Sequence, residues 1–587
     1  MQGRADDLSW LVMELILKAK DLRPEFQYLN LRLQLEMQRL WNWGDISGFL
    51  SYLGGKEDAL DSSLTGLNRH VILEIVLHIQ TLLTEFVKTK GRYQEFAAVS
   101  SDPDLVQRIP GSKDRVRNIL RALEITHQLP KRIRWAMWDQ DKFKGLSDRL
   151  KEMNDCLIDL ADNSMKTQIM NMTKETNINL LGLHSKVDDL GQLVKALTRT
   201  GTQLGSTFET RIRVSYGLQH TQNDKEEEMR KDLLDLTKFK SLLQTTESRE
   251  LSSEQLSGLE LDRKEIKINS TSSTSAEGIR TKALYRGEEV WIEWKRYTPF
   301  THSSTRPDPR ILSRVQKLAA LLRTDPKPVG FRVPRCLGYF DEIDHDAEGQ
   351  DPEDFSHFGY VFAIPDGLQS TTPVTLFEIL QQPSMPSLTD RLSIAKEISN
   401  SVYSLHSVGW LHKGLRSQNI IFFPSRDGSI DFAKPYLTGF EYARPDISGE
   451  MTEVLPGNPE FDIYRHPDIL SAASSGGYKC SYDIYSVGII LLEIAGWKIV
   501  ADMLDPEKKR RIVLSKVKIR LLTEGKYLEM VSASAGSLFK EAVLCCLQGA
   551  VGLGVGEEED EMGERVSAKV DRGFHELVVK RLEGIRC

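Results

Sequence analysis

The sequence predicts a multidomain protein, in which an N-terminal all-α helical bundle precedes a C-terminal α+β domain. Three observations predict this division. Apolar residues recur every three or four positions from residue 7 to about residue 200, as in helices with one buried face. The segment Asn269–Ala276 is polar and nearly without apolar residues, which indicates a linker. After this segment the pattern changes to short strands joined at glycine turns, followed by longer helices.

These changes predict three parts. A helical domain covers residues 1–205, a polar and partly helical linker covers residues 206–276, and the α+β domain covers residues 277–587. A chain of 587 residues has room for several domains of ordinary size.

Composition excludes several classes of protein. The net charge of −7 argues against nucleic acid as a partner, because binding phosphates requires a basic surface. The six cysteines include no C-x-x-C pair that would hold zinc, so we expect no metal site and interpret them as buried thiols. No apolar run reaches the ~18 residues of a spanning helix. Leu8–Leu17 is too short for one and contains Glu14, so it is interpreted as neither a signal peptide nor a membrane span.

The first domain is predicted to bury the seams of several helices. One helix is indicated by the spacing of Leu22, Phe26, Leu29, Leu33, Met37 and Leu40. Further helices are predicted over residues 70–88 and 116–129. The apolar seam Leu180–Leu197 spans little more than two heptads, which favours packing on the bundle over an isolated coiled coil.

Two blocks in this domain carry a family resemblance. Glu25–Leu33 leads to Leu40–Gly44, and Ile133–Phe143 follows downstream. Together they resemble the HeLo domain of filamentous fungi, also called the prion-inhibition and propagation domain. The resemblance implies a helical cell-death executioner that permeabilises membranes when an amyloid or receptor partner triggers it. Family members usually carry a longer apolar first helix than Leu8–Leu17, so a scaffold without membrane activity is the alternative.

The second domain carries the frame of a protein-kinase catalytic loop. Leu411–Phe423 follows H-R-D-L-x-x-x-N and an apolar strand, with His412, Leu415 and Asn419 on the frame. The position of the aspartate that would accept the substrate hydroxyl proton is held by Gly414. The chain therefore resembles a protein kinase in scaffold and departs from it at the catalytic base.

A second departure concerns the metal. In Thr438–Arg444 the D-F-G frame reads Gly-Phe-Glu, which places Gly439 where an aspartate would chelate magnesium. Asn419 alone cannot replace a carboxylate on a hard divalent cation. The structural marks remain, since Tyr482–Gly488 resembles the buried helix whose Asp483 would hold the catalytic-loop backbone.

The nucleotide-binding lysine is present without its usual partners. Val290–Lys295 matches V-A-I-K, which places Lys295 where a kinase holds the α and β phosphates. The glycine-rich loop is predicted at Glu277–Lys282, which has one glycine. The helix Ile311–Leu322 has Arg314 at the position of the glutamate that would pair with the lysine.

Further strands and a long helix are predicted from the same resemblance. Arg332–Phe340 and Tyr360–Gly367 resemble the last strands of the N-terminal lobe and the hinge, and Leu388–His406 resembles the long helix before the catalytic loop.

The sequence thus predicts a pseudokinase attached to a HeLo-like domain, a non-catalytic signalling protein. The resemblance implies protein partners such as a receptor-like or amyloid-signalling protein, peripheral membrane contact, self-association on activation and a cytoplasmic location. ATP would bind weakly and without magnesium, through Lys295 and Asn419. The alternative is an active protein kinase in which Glu441 or Asp446 replaces a lost carboxylate.

Overall fold

The fold was analysed in a computed structural model that describes most of the C-terminal half of the chain and separate parts of the N-terminal half. The described residues are 24–49, 71–72, 75–76, 78–79, 82, 140–183, 224–248, 251, 256–273, 280–297, 299–301, 304–325, 327–343, 356–365, 372–425, 427–445, 457–470, 477–507, 512–556, 559–561 and 564–586. The chain divides into two compact units, Met1–Lys238 and Phe239–Cys587.

The first unit is helical, which confirms the predicted all-α class of this region. Its described helices are α1 (Pro24–Ile46), α2 (Gln140–Asp159) and α3 (Asn163–Leu183). Both α2 and α3 pack against α1. The described residues between 71 and 82 are helical, and the apolar ones among them contribute to the same core. The predicted helix Leu8–Leu17 and nearly all of the seam Leu180–Leu197 lie outside the described residues.

A buried polar cluster joins α1 to α2. Arg39 on α1 donates to Glu36 at 3.0 Å and to Asp155 of α2 at 2.7 Å. Asn154 donates to the Glu36 carboxylate at 3.0 Å. Burial alone would raise the pKa of Asp155, but Arg39 and Lys151 beside it hold that pKa below its ordinary value. The cluster fixes the register of the two helices because a displaced partner would leave a buried charge without compensation.

The second unit has the predicted α+β class. It starts within α4 (Asp224–Ser248), a helix that begins in the first unit. The strands that follow are β1 (Ile266–Ser273), β2 (Arg280–Tyr285), β3 (Glu288–Arg296), β4 (Pro299–Thr301), β5 (Ser304–Pro307), β6 (Cys336–Ile343), β7 (Ser356–Ala363), β8 (Val374–Thr375), β9 (Trp410–Leu411), β10 (Ile420–Phe422), β11 (Tyr436–Leu437) and β12 (Arg444–Pro445).

Helices dominate the C-terminal part of this unit. The helices after α4 are α5 (Pro309–Arg323), α6 (Leu376–Leu380), α7 (Leu388–Ser407), α8 (Pro459–Asp462), α9 (Pro467–Leu470), α10 (Cys480–Gly496), α11 (Val500–Leu504), α12 (Val517–Thr523), α13 (Lys526–Ala535), α14 (Ser537–Gln548), α15 (Glu564–Phe574) and α16 (Lys580–Glu583), with a π-helical turn over His575–Val579. The helix α10 is buried along nearly its whole length and packs against α7, α13 and α14. Within the described parts of the chain, no helix is long and apolar enough to cross a membrane.

A five-stranded antiparallel sheet forms the N-terminal lobe of this unit, with strand order β1-β2-β3-β7-β6. The strands β2 and β3 form a hairpin whose two turn residues, Arg286 and Gly287, have φ angles of 52° and 89°. Positive φ at both central residues matches the right-handed twist of the strands. The turn fixes the register, which places Arg280 directly opposite Glu293.

The sheet corrects one part of the predicted linker, the polar segment that begins at Asn269. The strand β1 covers residues 266–273 and pairs with β2 at residues 266–268 and 273, with an irregularity between them. The described part of the polar segment Asn269–Ala276, residues 269–273, is therefore part of a strand. At the other edge of the sheet, Leu259 and Leu261 exchange backbone hydrogen bonds with Tyr339 of β6 at 2.8 Å. The predicted domain start at residue 277 therefore comes after β1, a strand of the same sheet. Polar composition was misleading because strand pairing uses backbone groups and does not require apolar side chains.

The C-terminal half of α4 is also part of the second unit. Phe239 lies 4.8 Å from the ring of Phe331, edge to face, and 5.6 Å from the ring of Trp410. Lys240 donates to the backbone oxygen of Ser407 at 3.1 Å. Leu243 is buried one turn further on. Phe239 and Lys240 thereby contact the segment that leads into the catalytic loop.

We expect a fragment that covers residues 277–587 to be much less stable than one that covers 224–587. The shorter fragment lacks β1, the strand segment at Leu259–Leu261 and the aromatic anchor at Phe239, so it exposes both sheet edges and an apolar surface. The two fragments are to be compared by soluble yield and by thermal unfolding. Equal unfolding temperatures would contradict the assignment of residues 239–276 to the folded second unit.

Candidate functional site

The catalytic-loop frame lies between the sheet and α10, and Asp483 of α10 holds its backbone. The buried carboxylate of Asp483 accepts the amide of His412 at 2.7 Å and that of Lys413 at 2.9 Å. The hydroxyl of Tyr478 donates to the same carboxylate at 2.8 Å. Burial alone would raise the pKa of Asp483, but hydrogen bonds from the His412 amide and from His406 hold it below its ordinary value. Asp483 thereby stabilises Lys413 at a φ of 62°, in the left-handed region that side chains rarely adopt.

His412 is a packing residue of this loop. Its ring lies 4.5 Å from the ring of Phe440, and its Nδ1 atom accepts the amide of Gly414 at 3.2 Å. Burial lowers the pKa of His412 to about 4. The imidazole is therefore neutral near pH 7, and it orients the loop through one accepted hydrogen bond.

The structure brings the two glycines of the predicted site into contact with Asn419. Asn419 donates through its Nδ2 atom to the backbone oxygen of Gly414 at 2.7 Å. Gly439 has a φ of 79°, and a Cβ atom there would lie 2.1 Å from Nδ2 and 2.3 Å from Cγ of Asn419. A Cβ atom at Gly414 would lie 3.1 Å from the oxygen of Gly439. Only a glycine fits at residue 439 while Asn419 keeps its position.

An arginine that the sequence analysis did not single out fills the cleft beside these residues. Arg280 of β2 is buried and donates through Nε to Glu293 at 3.0 Å. Its two terminal nitrogens donate to the backbone oxygen of Gln418 at 2.7 Å, to Oδ1 of Asn419 at 2.8 Å and to the hydroxyl of Thr438 at 2.7 Å.

Glu293 completes the cluster around Arg280. One carboxylate oxygen accepts from Arg280, and the other accepts the amide of Gly439 at 3.0 Å. Glu293 stands at the alanine position of the V-A-I-K frame that ends at Lys295. Two features of the sequence indicate the ion pair of Arg280 and Glu293. Glu293 is charged where the frame has an alanine, and it lies opposite Arg280 in the hairpin.

The structure places Lys295 beside the segment after Gly439. Its Nζ atom donates to the backbone oxygen of Glu441 at 2.8 Å and lies 4.8 Å from the centre of the Tyr442 ring. The lysine is buried. Arg314, at the predicted glutamate position of α5, is itself a cation and cannot act as an acidic partner.

Glu441 and Asp446 were the two candidates to replace a lost catalytic carboxylate. Glu441 directs its carboxylate to Arg416, at 4.0 Å from a terminal nitrogen, and Arg416 lies 3.9 Å above the ring of Phe461. Asp446 lies outside the described residues.

The donor set does not fit magnesium with a nucleotide. A hard divalent cation requires oxygen ligands with a carboxylate among them, and the carboxylate position is Gly439. The oxygen that Asn419 would offer already accepts from the guanidinium of Arg280 at 2.8 Å. Among the described residues, no group of three or more histidine, cysteine, aspartate or glutamate side chains is arranged to hold a metal ion.

Comparisons with known proteins give one family match and several similarities to protein kinases. Residues 12–194 match the family HeLo, described as prion-inhibition and propagation. The chain is similar to a probable serine/threonine-protein kinase, fhkA, of Dictyostelium discoideum, with 29% identity over 174 residues that cover 25% of this chain and 28% of that protein. A serine/threonine-protein kinase-like protein of Arabidopsis thaliana is 27% identical over 133 residues, 22% of this chain and 35% of that protein.

The chain therefore spans only 28% and 35% of the lengths of these two curated relatives. The predicted combination of a HeLo domain and a kinase-like domain is confirmed by the family match and by these similarities.

The contact between Gly439 and Asn419 gives a testable stability difference. We expect Gly439→Ala to lower the free energy of unfolding by about 3 kcal/mol or more, because left-handed backbone strain adds to the loss of the Asn419 hydrogen bonds. Gly414→Ala should cost about 1 kcal/mol or less, since its neighbour need move only slightly. Both are measured by denaturant titration of the full chain.

Gly428→Ala is the matched control. Gly428 has a φ of 82° with open space around its Cβ position, so it isolates the backbone strain at about 1–2 kcal/mol. If Gly439→Ala costs no more than Gly428→Ala, the close packing on Asn419 does not contribute to stability.

Proposed function

Because the chain carries a HeLo domain followed by a kinase-like domain, we propose that it is a non-catalytic signalling protein of fungal heterokaryon incompatibility or regulated cell death. The kinase-like domain is a pseudokinase that regulates the helical domain. The observation that carries this proposal is the pair of glycines at the base and metal positions. Gly439 in particular is packed so closely on Asn419 that a carboxylate cannot return there without displacing it.

Magnitudes support the loss of phosphoryl transfer. A catalytic base contributes about 10²–10⁴ in rate, and a metal ion contributes several kcal/mol of transition-state stabilisation. Because glycines stand at both positions, Gly414 and Gly439, the catalytic-base carboxylate and the metal-binding carboxylate are both absent. Lys295, which would hold phosphates, donates to the backbone of Glu441.

The partners follow from the HeLo match as part of the proposal. A receptor-like or amyloid-signalling protein would trigger the chain through the kinase-like domain, and the helical domain would then self-associate and contact membranes peripherally. The proposed location is the cytoplasm. Nucleic acid is not a proposed partner, because the net charge is −7.

We expect no phosphoryl transfer from ATP to the protein itself or to generic protein substrates, with magnesium or manganese. Gly414→Asp should not restore transfer, because the metal position would still lack its carboxylate. The measurement is incorporation of radiolabelled phosphate by the purified full chain, with Lys295→Met as the background. Transfer that requires magnesium and is abolished by Lys295→Met would identify the chain as an active kinase and refute the proposal.

A second experiment addresses the helical domain. We expect residues 1–205 alone to bind anionic liposomes or self-associate more than the full chain does, because the kinase-like domain would no longer restrain them. The gain should be modest, since Leu8–Leu17 offers few apolar side chains at about 1.5–3 kcal/mol each and stable anchoring takes a second signal. Leu11→Glu with Leu15→Glu should abolish it in a flotation assay.

Gln2→Glu with Ser9→Glu is the control for this pair, because it adds the same two negative charges and removes no apolar side chain. Equal liposome binding and equal oligomer size for the fragment and the full chain would contradict restraint by the kinase-like domain. That result would favour a scaffold without membrane activity.

A further inference from the structure

We propose that Arg280 is an internal ligand of the kinase-like domain, with its guanidinium in the place of a bound cation. It joins the sheet to the catalytic loop, so the cleft is closed without nucleotide. This inference deepens the proposed pseudokinase function and rests on it. It assigns the regulation of the cleft to a residue of this chain.

The contacts of Arg280 bridge two parts of the fold. On the sheet side, Arg280 belongs to β2 and pairs with Glu293 of β3. On the other side, it donates to the oxygen of Gln418, to Asn419 and to Thr438, which lie at the end of the catalytic loop and after β11. The amide of Gly439 donates back to Glu293 at 3.0 Å. Four hydrogen bonds therefore cross the cleft.

The electrostatic balance favours a cation at this position. Glu293 is the negative charge in the cluster, and the other acceptors are the neutral oxygens of Gln418, Asn419 and Thr438. The planar guanidinium matches several acceptors at once, which an ammonium group does not. A divalent cation would be repelled by Arg280 at short range. It could enter only if Arg280 left the cluster, and the guanidinium would then lose its four acceptors.

This arrangement separates the cleft from nucleotide control. In an active kinase, the side chains of the cleft bind metal ions and phosphates. Here the guanidinium of Arg280 supplies the positive charge, and the closed cleft is the default state. A regulator that opens the cleft must offer Arg280 another anionic group or offer Glu293 another cation.

The test is Arg280→Ala in the full chain, without nucleotide. We expect its thermal unfolding to shift downward and to be restored saturably by methylguanidinium, but not by methylammonium at equal ionic strength. Hydrogen exchange at the amides of Thr438 and Gly439 should accelerate about tenfold to a hundredfold, since bonds to charged groups are lost. Methylguanidinium should restore protection.

Arg310→Ala in α5 is the matched control. Arg310 pairs with Asp308 at the surface, so its removal should change neither the unfolding of this domain nor exchange at the cleft, and methylguanidinium should have no effect on it. If Arg280→Ala does not fold, Arg280→Lys replaces it. Lysine keeps the charge but cannot serve all the acceptors, so exchange at Thr438 and Gly439 should again rise.

Unchanged unfolding and unchanged exchange in Arg280→Ala, or in Arg280→Lys where it is used, would overturn the proposal. Stabilisation of Arg280→Ala by magnesium alone would support it, because it would show that the guanidinium occupies a cation position. These outcomes are independent of catalysis. Phosphoryl transfer by the wild-type chain would refute the pseudokinase function, whereas this experiment measures only what holds the cleft together.

Discussion

The buried pair of Arg280 and Glu293 is the interaction on which the cleft of the kinase-like domain depends. Its members face each other across the β2–β3 hairpin, and each also reaches the loop segments on the opposite side. A buried pair of this kind adds little stability compared with apolar residues of the same size, but removal of one partner is costly. Its effect is therefore to specify one closed arrangement.

A second constraint explains why the kinase-like scaffold does not depend on catalytic side chains for its shape. Asp483 binds the backbone of the catalytic loop through two amides, and this contact needs neither a base nor a metal. Gly439 then allows its loop segment to approach Asn419 more closely than a side chain would permit. The fold and the close packing reinforce each other, and no phosphoryl-transfer group is required for either.

The catalytic loop, the helix before it and the buried ion pair could all be predicted from the sequence. The frame around His412 and Asn419 predicted the loop, and the helix predicted over Leu388–His406 is α7, Leu388–Ser407. The pair of Arg280 and Glu293 was also predictable in principle. A two-residue turn at Arg286 and Gly287 fixes which strand positions face each other, and two opposite charges then meet at positions that point inward.

Other features could not be predicted because they depend on long-range contacts. The polar segment at the start of the sheet forms β1 because β2 offers it an edge, which its own composition does not indicate. The anchor of α4 at Phe239 requires the rings of Phe331 and Trp410, which lie about 90 and 170 residues further along the chain. Similarly, the tight fit of Gly439 on Asn419 depends on the exact approach of two loops.

A crystal structure of the full chain grown with magnesium and a high concentration of ATP tests the central claim most directly. The account predicts that Arg280 remains between Glu293 and Asn419 and that the cleft contains neither nucleotide nor metal. A structure in which Arg280 has left this cluster and a magnesium-bound nucleotide contacts Asn419 and Lys295 would contradict it.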